Sequence, residues 1–276
     1  MRNVRDLIKF STQYLQKRGV KEPRYNGEVL LAPLLQCKRW ELFLRYDYLV
    51  EEEIIEKYRV WVARRGRREP LEYIIGKLEF VECIIAVRPG VFIPRRETEL
   101  LVMFVLQEVA DGAHILWDLC TGSGCLGLGV KKKRPDLEVT LSDLSMQAIT
   151  IAENNARANG LPVTTVCGDL LTPFLGKKAD VVLCNPPYVT KEEYRFLEDE
   201  VRLYEPKEAL IGGTSYFERL AKELPFYLNP GAKVFFEIGA KQSEVMHCIF
   251  RNKCWKKRWC KRDWAGHDRF FFLEFH

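Results

Sequence analysis

After Pro94 the chain alternates short apolar runs with helix-length segments, and that alternation limits the fold more than any single motif does. Ile115-Leu116-Trp117, Val139-Thr140-Leu141, Val163-Thr164-Thr165-Val166 and Val181-Val182-Leu183 are too short for buried helices and read as strands. Helical segments lie between the first three, notably Ser145 to Asn159, with Ser145 as N-cap and Gly160 as stop. Val234-Phe235-Phe236 and Phe270-Phe271-Phe272-Leu273 supply later strands. The expected fold class is therefore α/β, with a doubly wound, mainly parallel, Rossmann-like sheet. Ligands on such a sheet sit beyond the strand carboxyl ends, and the unusual residues of this chain fall there.

The first 70 residues read differently. Leu7, Ile8, Tyr14 and Leu15 approximate one helical face, Val29, Leu30, Leu34 and Leu35 a second, and Ile54, Ile55, Tyr58 and Val62 a third. Pro33 should kink or shorten the second helix. Between 71 and 94 the period changes, with β-rich runs at Tyr73-Ile74-Ile75, Phe80-Val81 and Ile84 to Val87 punctuated by Gly76, Pro89 and Gly90. The expected organisation is a small helical domain over 1–70, a linking β-hairpin over 71–94 and an α/β domain over 95–276.

The 276 residues give ample core, and no apolar run approaches the roughly 20 residues needed to span a bilayer. Arg2, Arg5, Asp6 and Lys9 interrupt any signal-peptide core, so the expected location is cytoplasmic. Nine cysteines without a CxxC pair read as reduced thiols. Gaps of five residues around Cys248, Cys254 and Cys260 are wider than zinc spacings, and no metal is expected. Much of the +5 net charge lies in two runs. One, Arg251 to Arg262, interleaves cations with Trp255 and Trp259 and fits a solvated β-hairpin better than a nucleic-acid surface. The other, Arg64-Arg65-Gly66-Arg67-Arg68, could face RNA or an acidic partner.

Three strand ends converge on an adenosine. Asp118-Leu119-Cys120-Thr121-Gly122-Ser123-Gly124 follows the first strand, and its glycines let the backbone approach a ligand, although it is neither a phosphate loop nor a full dinucleotide fingerprint. Asp143, 19 residues beyond Gly124, ends the second strand, where a carboxylate can accept ribose hydroxyl protons or cap the next helix. Gly168-Asp169-Leu170 ends the third, with Asp169 suited to an exocyclic amine and Leu170 to the face of the ring. The fourth strand ends in Asn185-Pro186-Pro187-Tyr188. Proline fixes φ and donates no backbone hydrogen bond, so this stiff turn offers pre-aimed acceptors that suit a planar amino group; a plain strand-end turn would read alike.

That order of motifs resembles an S-adenosylmethionine-dependent methyltransferase acting on an amino or amide nitrogen. Pro70-Leu71-Glu72-Tyr73-Ile74-Ile75-Gly76, the block from Pro89 to Glu99 containing Ile93-Pro94-Arg95-Arg96-Glu97-Thr98-Glu99, Glu205-Pro206 with Ala209 to Gly213, and Ala265-Gly266-His267-Asp268-Arg269 narrow the resemblance to the PrmC/HemK family. It covers essentially the whole chain. It implies a class I methyltransferase sheet, S-adenosyl-L-methionine as cofactor, and the glutamine of the Gly-Gly-Gln motif in peptide chain release factors as substrate. The helical domain would recognise that protein partner; a monomer without membrane or direct nucleic-acid binding is expected. Cofactor contacts fall on Cys120, Thr121, Gly122, Ser123, Gly124, Asp143, Leu170 and Asn185, and the substrate clamp on Asn185, Pro186, Pro187 and Tyr188. Asn185, Pro186 and Tyr188 would be the catalytic set, two acceptors for the amide protons and one ring against the amide plane.

Rival substrates are a glutamine of a ribosomal protein and an adenine of nucleic acid, whose exocyclic amine is equally planar. The chain departs from the family pattern at Cys120, where Gly is usual, at Leu170, which replaces a frequent aromatic, and at Arg96, which replaces Pro. Thr214-Ser215-Tyr216 stands where an Asp-Gly turn is usual.

Overall fold

The computed structural model describes residues 2–276, which divide into two compact units, 2–77 with 198–204, and 78–197 with 205–276. The first opens with β1 (Arg2–Asn3), paired to β2 (Leu49–Val50), and is built on α1 (Val4–Lys17), α2 (Pro23–Leu34), α3 (Glu52–Arg65) and α4 (Leu71–Ile75). Asn3 caps α1 by accepting from the Asp6 amide at 2.8 Å, and α1 buries Val4, Leu7, Ile8, Ser11 and Leu15 along one stripe. The helix α2 stops one residue past Pro33. It turns Asn26, Gly27, Leu30 and Leu31 inward, so its buried face is rotated from the expected Val29, Leu30, Leu34 and Leu35. At the crossing of α1, α2 and α3 the Tyr58 hydroxyl reaches Ser11 Oγ at 2.7 Å and the Gly27 carbonyl at 3.0 Å. A Cβ on Gly27 would come within 2.4 Å of Ser11 Oγ, so only glycine allows that approach.

Tyr73-Ile74-Ile75, expected as strand, is the helical turn α4. Pro70 occupies its N-cap, Gly76 closes it at φ +85°, and the Gly76 amide donates to the Glu72 carbonyl at 2.7 Å. The turn buries Tyr73 and Ile74. The arginine run 64–68 is likewise not an open basic surface. Arg64 pairs with Glu69, and Arg65 and Arg68 grip the two carboxylate oxygens of Glu200 at 2.8 Å each. Arg65 is buried and also donates to Asn26 Oδ1. These contacts fix the short helix Asp199–Tyr204 within the helical unit.

The second unit begins with a hairpin of β3 (Lys77–Phe80) and β4 (Cys83–Ala86), turned at Val81 and Glu82, both at positive φ. Then follow α5 (Arg96–Glu108), β5 (Ile115–Leu119), α6 (Cys125–Lys133), β6 (Glu138–Asp143), α7 (Met146–Ala158), β7 (Thr164–Cys167) and β8 (Ala179–Cys184). After α8 (Lys191–Tyr194) and α9, the Asp199–Tyr204 helix already described, come α10 (Ser215–Glu223), β9 (Leu228–Glu237), α11 (Ser243–Ile249), β10 (Trp255–Arg262) and β11 (Asp268–Phe275). Seven strands form one sheet in the order β10-β11-β9-β8-β5-β6-β7, parallel from β7 to β9 and antiparallel at β11 and β10. Every strand expected after Pro94 is present. This is the doubly wound, mainly parallel sheet expected, with two antiparallel strands at one edge.

The run 251–262 contributes the edge strand β10, as a hairpin. Trp255 is buried, Trp259 meets Phe272 edge-on, and Lys256, Lys257 and Arg262 pair with Glu274 or Asp268. A cationic edge also opposes pairing with another strand. The free edge of β4 is closed by α7: Asn155 and Asn159 exchange hydrogen bonds with the backbone N–H and C=O of Ala86 and Ile84, at 2.8 to 3.1 Å.

Candidate active site

β5 and β8 lie side by side and parallel, with Leu119 opposite Cys184 as their last paired residues. From β5 the order runs to β6 and β7 on one side, and to β8 and β9 on the other. The strand order therefore reverses between β5 and β8, and the loops leaving them part to open a crevice. A cavity of about 450 Å³ fills it, within the range of small-molecule sites. Its walls include Cys120 to Ser123, Asp143, Leu170 and Asn185 to Tyr188. Gly124 is the one expected site residue that does not line it. At φ +84° it starts α6, and a Cβ there would meet Leu128, Ala152 and Leu141 at 3.1 to 3.2 Å, so this glycine serves helix packing against the sheet.

Two carboxylates shape the loop after β5. Asp118 is fully buried; its Oδ2 accepts from Thr121 Oγ1 at 2.5 Å and from the Gly127 amide at 2.9 Å, which ties the loop to the start of α6. Its Oδ1 has no partner, and burial pushes its carboxyl up to about 7. Asp143 Oδ2 accepts from the Gly122 amide and Oδ1 from the Ser145 amide, both at 2.9 Å. Burial raises its carboxyl above the ordinary value against the pull of those amides. The Leu144 amide pulls the same way, and a carboxylate, with about four acceptor positions, still has capacity for a ligand. Cys120 stands at φ +54° and Leu170 at φ +47°, the left-handed region that L side chains adopt with strain, and both border the cavity. The Cys120 departure thus keeps a glycine-like backbone and adds a thiol to the wall.

The Asn-Pro-Pro-Tyr turn is held from behind. Tyr188 donates its hydroxyl to Glu237 Oε1 at 3.3 Å, and its carbonyl accepts from Gln242 Nε2 at 3.0 Å. Val189 exchanges backbone hydrogen bonds with Leu210, Gly212 and Gly213. A Cβ on Gly212 would lie 2.1 Å from the Pro187 carbonyl oxygen and 2.8 Å from the Tyr216 ring. With both sides fixed, the half-buried Asn185 carboxamide and the Pro186 carbonyl accept or donate no hydrogen bond among the described residues. They are unengaged acceptors at the wall of the crevice.

Other wall residues escaped assignment from sequence. Val91 and Phe92 line the cavity, in the block that resembled the family without showing what it does. Glu205 holds that block by accepting from the Ile93 amide at 3.1 Å and pairing with Arg95, whose guanidinium lies over the Phe92 ring. Gln147 donates to the Pro89 carbonyl at 3.0 Å and closes the same wall. Tyr216 enters the lining from the segment that departs from the family turn. Asp169 lines the cavity, but both of its oxygens are taken by Arg219 at 3.1 and 3.0 Å, so the direct amine acceptor expected there is already paired. Arg96, in place of Pro, is the exposed first residue of α5, a position where either residue fits. Among the described residues no group of three or more His, Cys, Asp or Glu is placed to hold a metal, and no helix is long and apolar enough to cross a membrane.

The cavity suits an adenosine-bearing cofactor. A Cβ on Gly122 would meet only Val91, at 3.7 Å, so it would enter the space between two lining residues; glycine leaves that space to a ligand. The Asp143 carboxylate and the apolar Leu144, Ala148 and Leu170 line the same space.

Comparison with known proteins agrees with this geometry. Residues 6–76 match the family model for the PrmC N-terminal domain, and residues 82–202 match the methyltransferase small domain. A release factor glutamine methyltransferase from Chlamydia trachomatis is 38% identical over 98% of this chain and 94% of its own length. One from Geobacter sulfurreducens is 34% identical over 96% and 94%. In solved structures, a methyltransferase from Pyrococcus furiosus matches 70% of this chain and 88% of its own at 18% identity and a TM-score of 0.53. The T. thermophilus 16S rRNA N2 G1207 methyltransferase in complex with AdoMet and guanosine covers 72% and 50%, at 16% identity and a TM-score of 0.54. These two structures bear on the fold alone.

Proposed function

The chain belongs to the release factor glutamine methyltransferase family, and we propose that it transfers a methyl group from S-adenosylmethionine to the side-chain amide nitrogen of the glutamine in the Gly-Gly-Gln motif of a peptide chain release factor. The observation that carries this reading is the unengaged carboxamide of Asn185, set beside the loop after β5 across the β5–β8 crevice. Bound S-adenosylmethionine supplies an electrophilic methyl group on a sulfonium. Cys120 to Ser123, Asp143 and Leu170 would hold it, with the Asp143 carboxylate at the ribose hydroxyls.

An amide nitrogen is a poor nucleophile because its lone pair is delocalised into the carbonyl. The Asn185 side-chain oxygen and the Pro186 carbonyl accept the two amide protons, and Tyr188 packs against the amide plane. Two directed acceptors fix the orientation of the nitrogen. Alignment of this kind can lower a barrier by roughly 7–11 kcal/mol, whereas each neutral hydrogen bond contributes about 0.5–1.5 kcal/mol, so positioning dominates. No strong base is required, because the methylated amide cation is acidic enough to lose its proton to water. The helical unit recognises the protein substrate, and the enzyme works in the cytoplasm as a monomer.

The test offers labelled S-adenosylmethionine with a release factor, a ribosomal-protein fraction and DNA as acceptors. Label should appear on the release factor, at the glutamine. Label on either other acceptor with none on the release factor would overturn the assignment. Asn185→Ala should reduce turnover about a hundredfold or more with cofactor affinity changed by about threefold or less. Near-normal transfer by that variant would remove the clamp.

A further inference from the structure

Behind the cavity wall lies a carboxylate that the proposed chemistry does not use. Glu237 ends β9, is 2% exposed, and accepts from Thr98 Oγ1 at 2.8 Å and from the Tyr188 hydroxyl at 3.3 Å. Both donors line the cavity; Glu237 does not. In the β8–β9 ladder Cys184 stands opposite Phe236, which sets Asn185 and Glu237 at the next level. Since alternate residues point to opposite faces, the two lie on the face away from Cys184 and Phe236. The loop of Asn185 and the helix α5 of Thr98 therefore meet on one acid.

Burying a carboxylate is costly, and an apolar side chain of similar volume would stabilise the core at least as well. Burial accordingly raises the Glu237 carboxyl above its ordinary value, against the two hydroxyls and Arg269. An acid kept at such a cost, with two cavity-wall hydroxyls on it, has a use beyond packing. We propose that Glu237 is a positioning residue for methyl transfer, one that sets the Tyr188 ring, and through it the Asn185-Pro186 acceptors, at the angle the substrate amide requires. This rests on the proposed amide clamp. Gln242, which donates to the Tyr188 carbonyl at 3.0 Å, fixes the other end of the same residue. The hydroxyl is then the remaining freedom, and Glu237 removes it.

The experiment measures kcat, KM for the release factor and cofactor affinity for Glu237→Ala, Glu237→Gln, Tyr188→Phe and the Glu237→Gln/Tyr188→Phe pair, well below each melting temperature. Misplacement of a reacting group by about 1 Å can cost about a hundredfold, so Glu237→Ala and Tyr188→Phe should each lower kcat by about ten- to a hundredfold while KM and cofactor affinity stay within about threefold. Glu237→Gln, which keeps an acceptor oxygen, should recover most of the loss, and the double variant should be no slower than the slower of its two single variants. If Glu237→Ala does not fold, Tyr188→Phe, which removes the same hydrogen bond from the other side, carries the comparison. Unchanged kcat in folded Glu237→Ala or in Tyr188→Phe, or a double variant slower than the slower of its two single variants, would overturn the proposal. Absence of any labelling of the release factor by the parent enzyme would instead overturn the clamp on which it rests.

Discussion

Asp143 Oδ2 accepts the Gly122 amide proton at 2.9 Å, so the residue suited to a ribose also sets the loop on the other side of it. Removing the carboxylate would lose the two ribose hydrogen bonds proposed for it and release the Gly122 and Ser145 amides. Hydrogen bonds to a charged group are worth about 1.5–3 kcal/mol each, so Asp143→Ala should weaken cofactor binding about a hundredfold or more, read by calorimetry. Asp143→Asn keeps one acceptor oxygen and should fall between. Affinity for the Ala variant within threefold of the parent would end the ribose role.

Asp118 makes stability depend on pH. Its carboxyl is pushed up to about 7 by burial, while in the unfolded chain it ionises near the ordinary 3.8. Below about pH 4 both states are protonated and the group is neutral to stability. Between about 4 and 7 the unfolded chain gives up the proton while the folded chain retains it, so stability falls as pH rises, by up to about 1.4 kcal/mol per pH unit, and levels off above 7. Asp118→Asn removes this dependence. The melting temperature of the variant minus that of the parent should rise steadily from pH 4 to 7, whatever constant offset the buried amide adds. A difference that stays flat across that range would show that the carboxyl ionises normally.

Gly212→Ala tests the support of the Pro-Pro turn. The new methyl group would meet the Pro187 carbonyl oxygen, a backbone atom that cannot swing aside, and the Tyr216 ring. Overpacking of this kind costs about 1–3 kcal/mol. The turn should move toward the cavity, so kcat should fall by about tenfold or more at temperatures where the variant is folded. Equal activity and an unchanged melting curve would show that the turn does not depend on this contact.

The sheet was legible because its central strands are short, β-branched and buried on both faces, a pattern that few other folds produce. Tyr73-Ile74-Ile75 misled because three apolar residues cannot reveal a period; Pro70 before them and Gly76 after them carried the helical signal. Arg64 to Arg68 looked like a docking surface because the carboxylate that neutralises two of its members lies 132 and 135 residues further along. That Asn185 and Asp143 border the crevice was readable from strand ends and spacing. Glu237 was not, for its partners are two hydroxyls, 139 and 49 residues away, that only the sheet brings together. Gly122 and Gly124 look interchangeable in sequence, yet one borders the cavity and the other packs against α7 and β6 through Ala152 and Leu141.

The grip of Arg65 and Arg68 on Glu200 has a consequence for how the polypeptide is made. The chain leaves the helical unit after residue 77, comes back for 198–204, and departs again at 205. Until the ribosome has synthesised that return segment, Arg65 lacks the carboxylate that neutralises it in its buried position. The N-terminal helices therefore cannot complete their structure as an autonomous early product. They are finished only after the strands β5 to β8 have emerged, so the N-terminal unit, made first, is completed late.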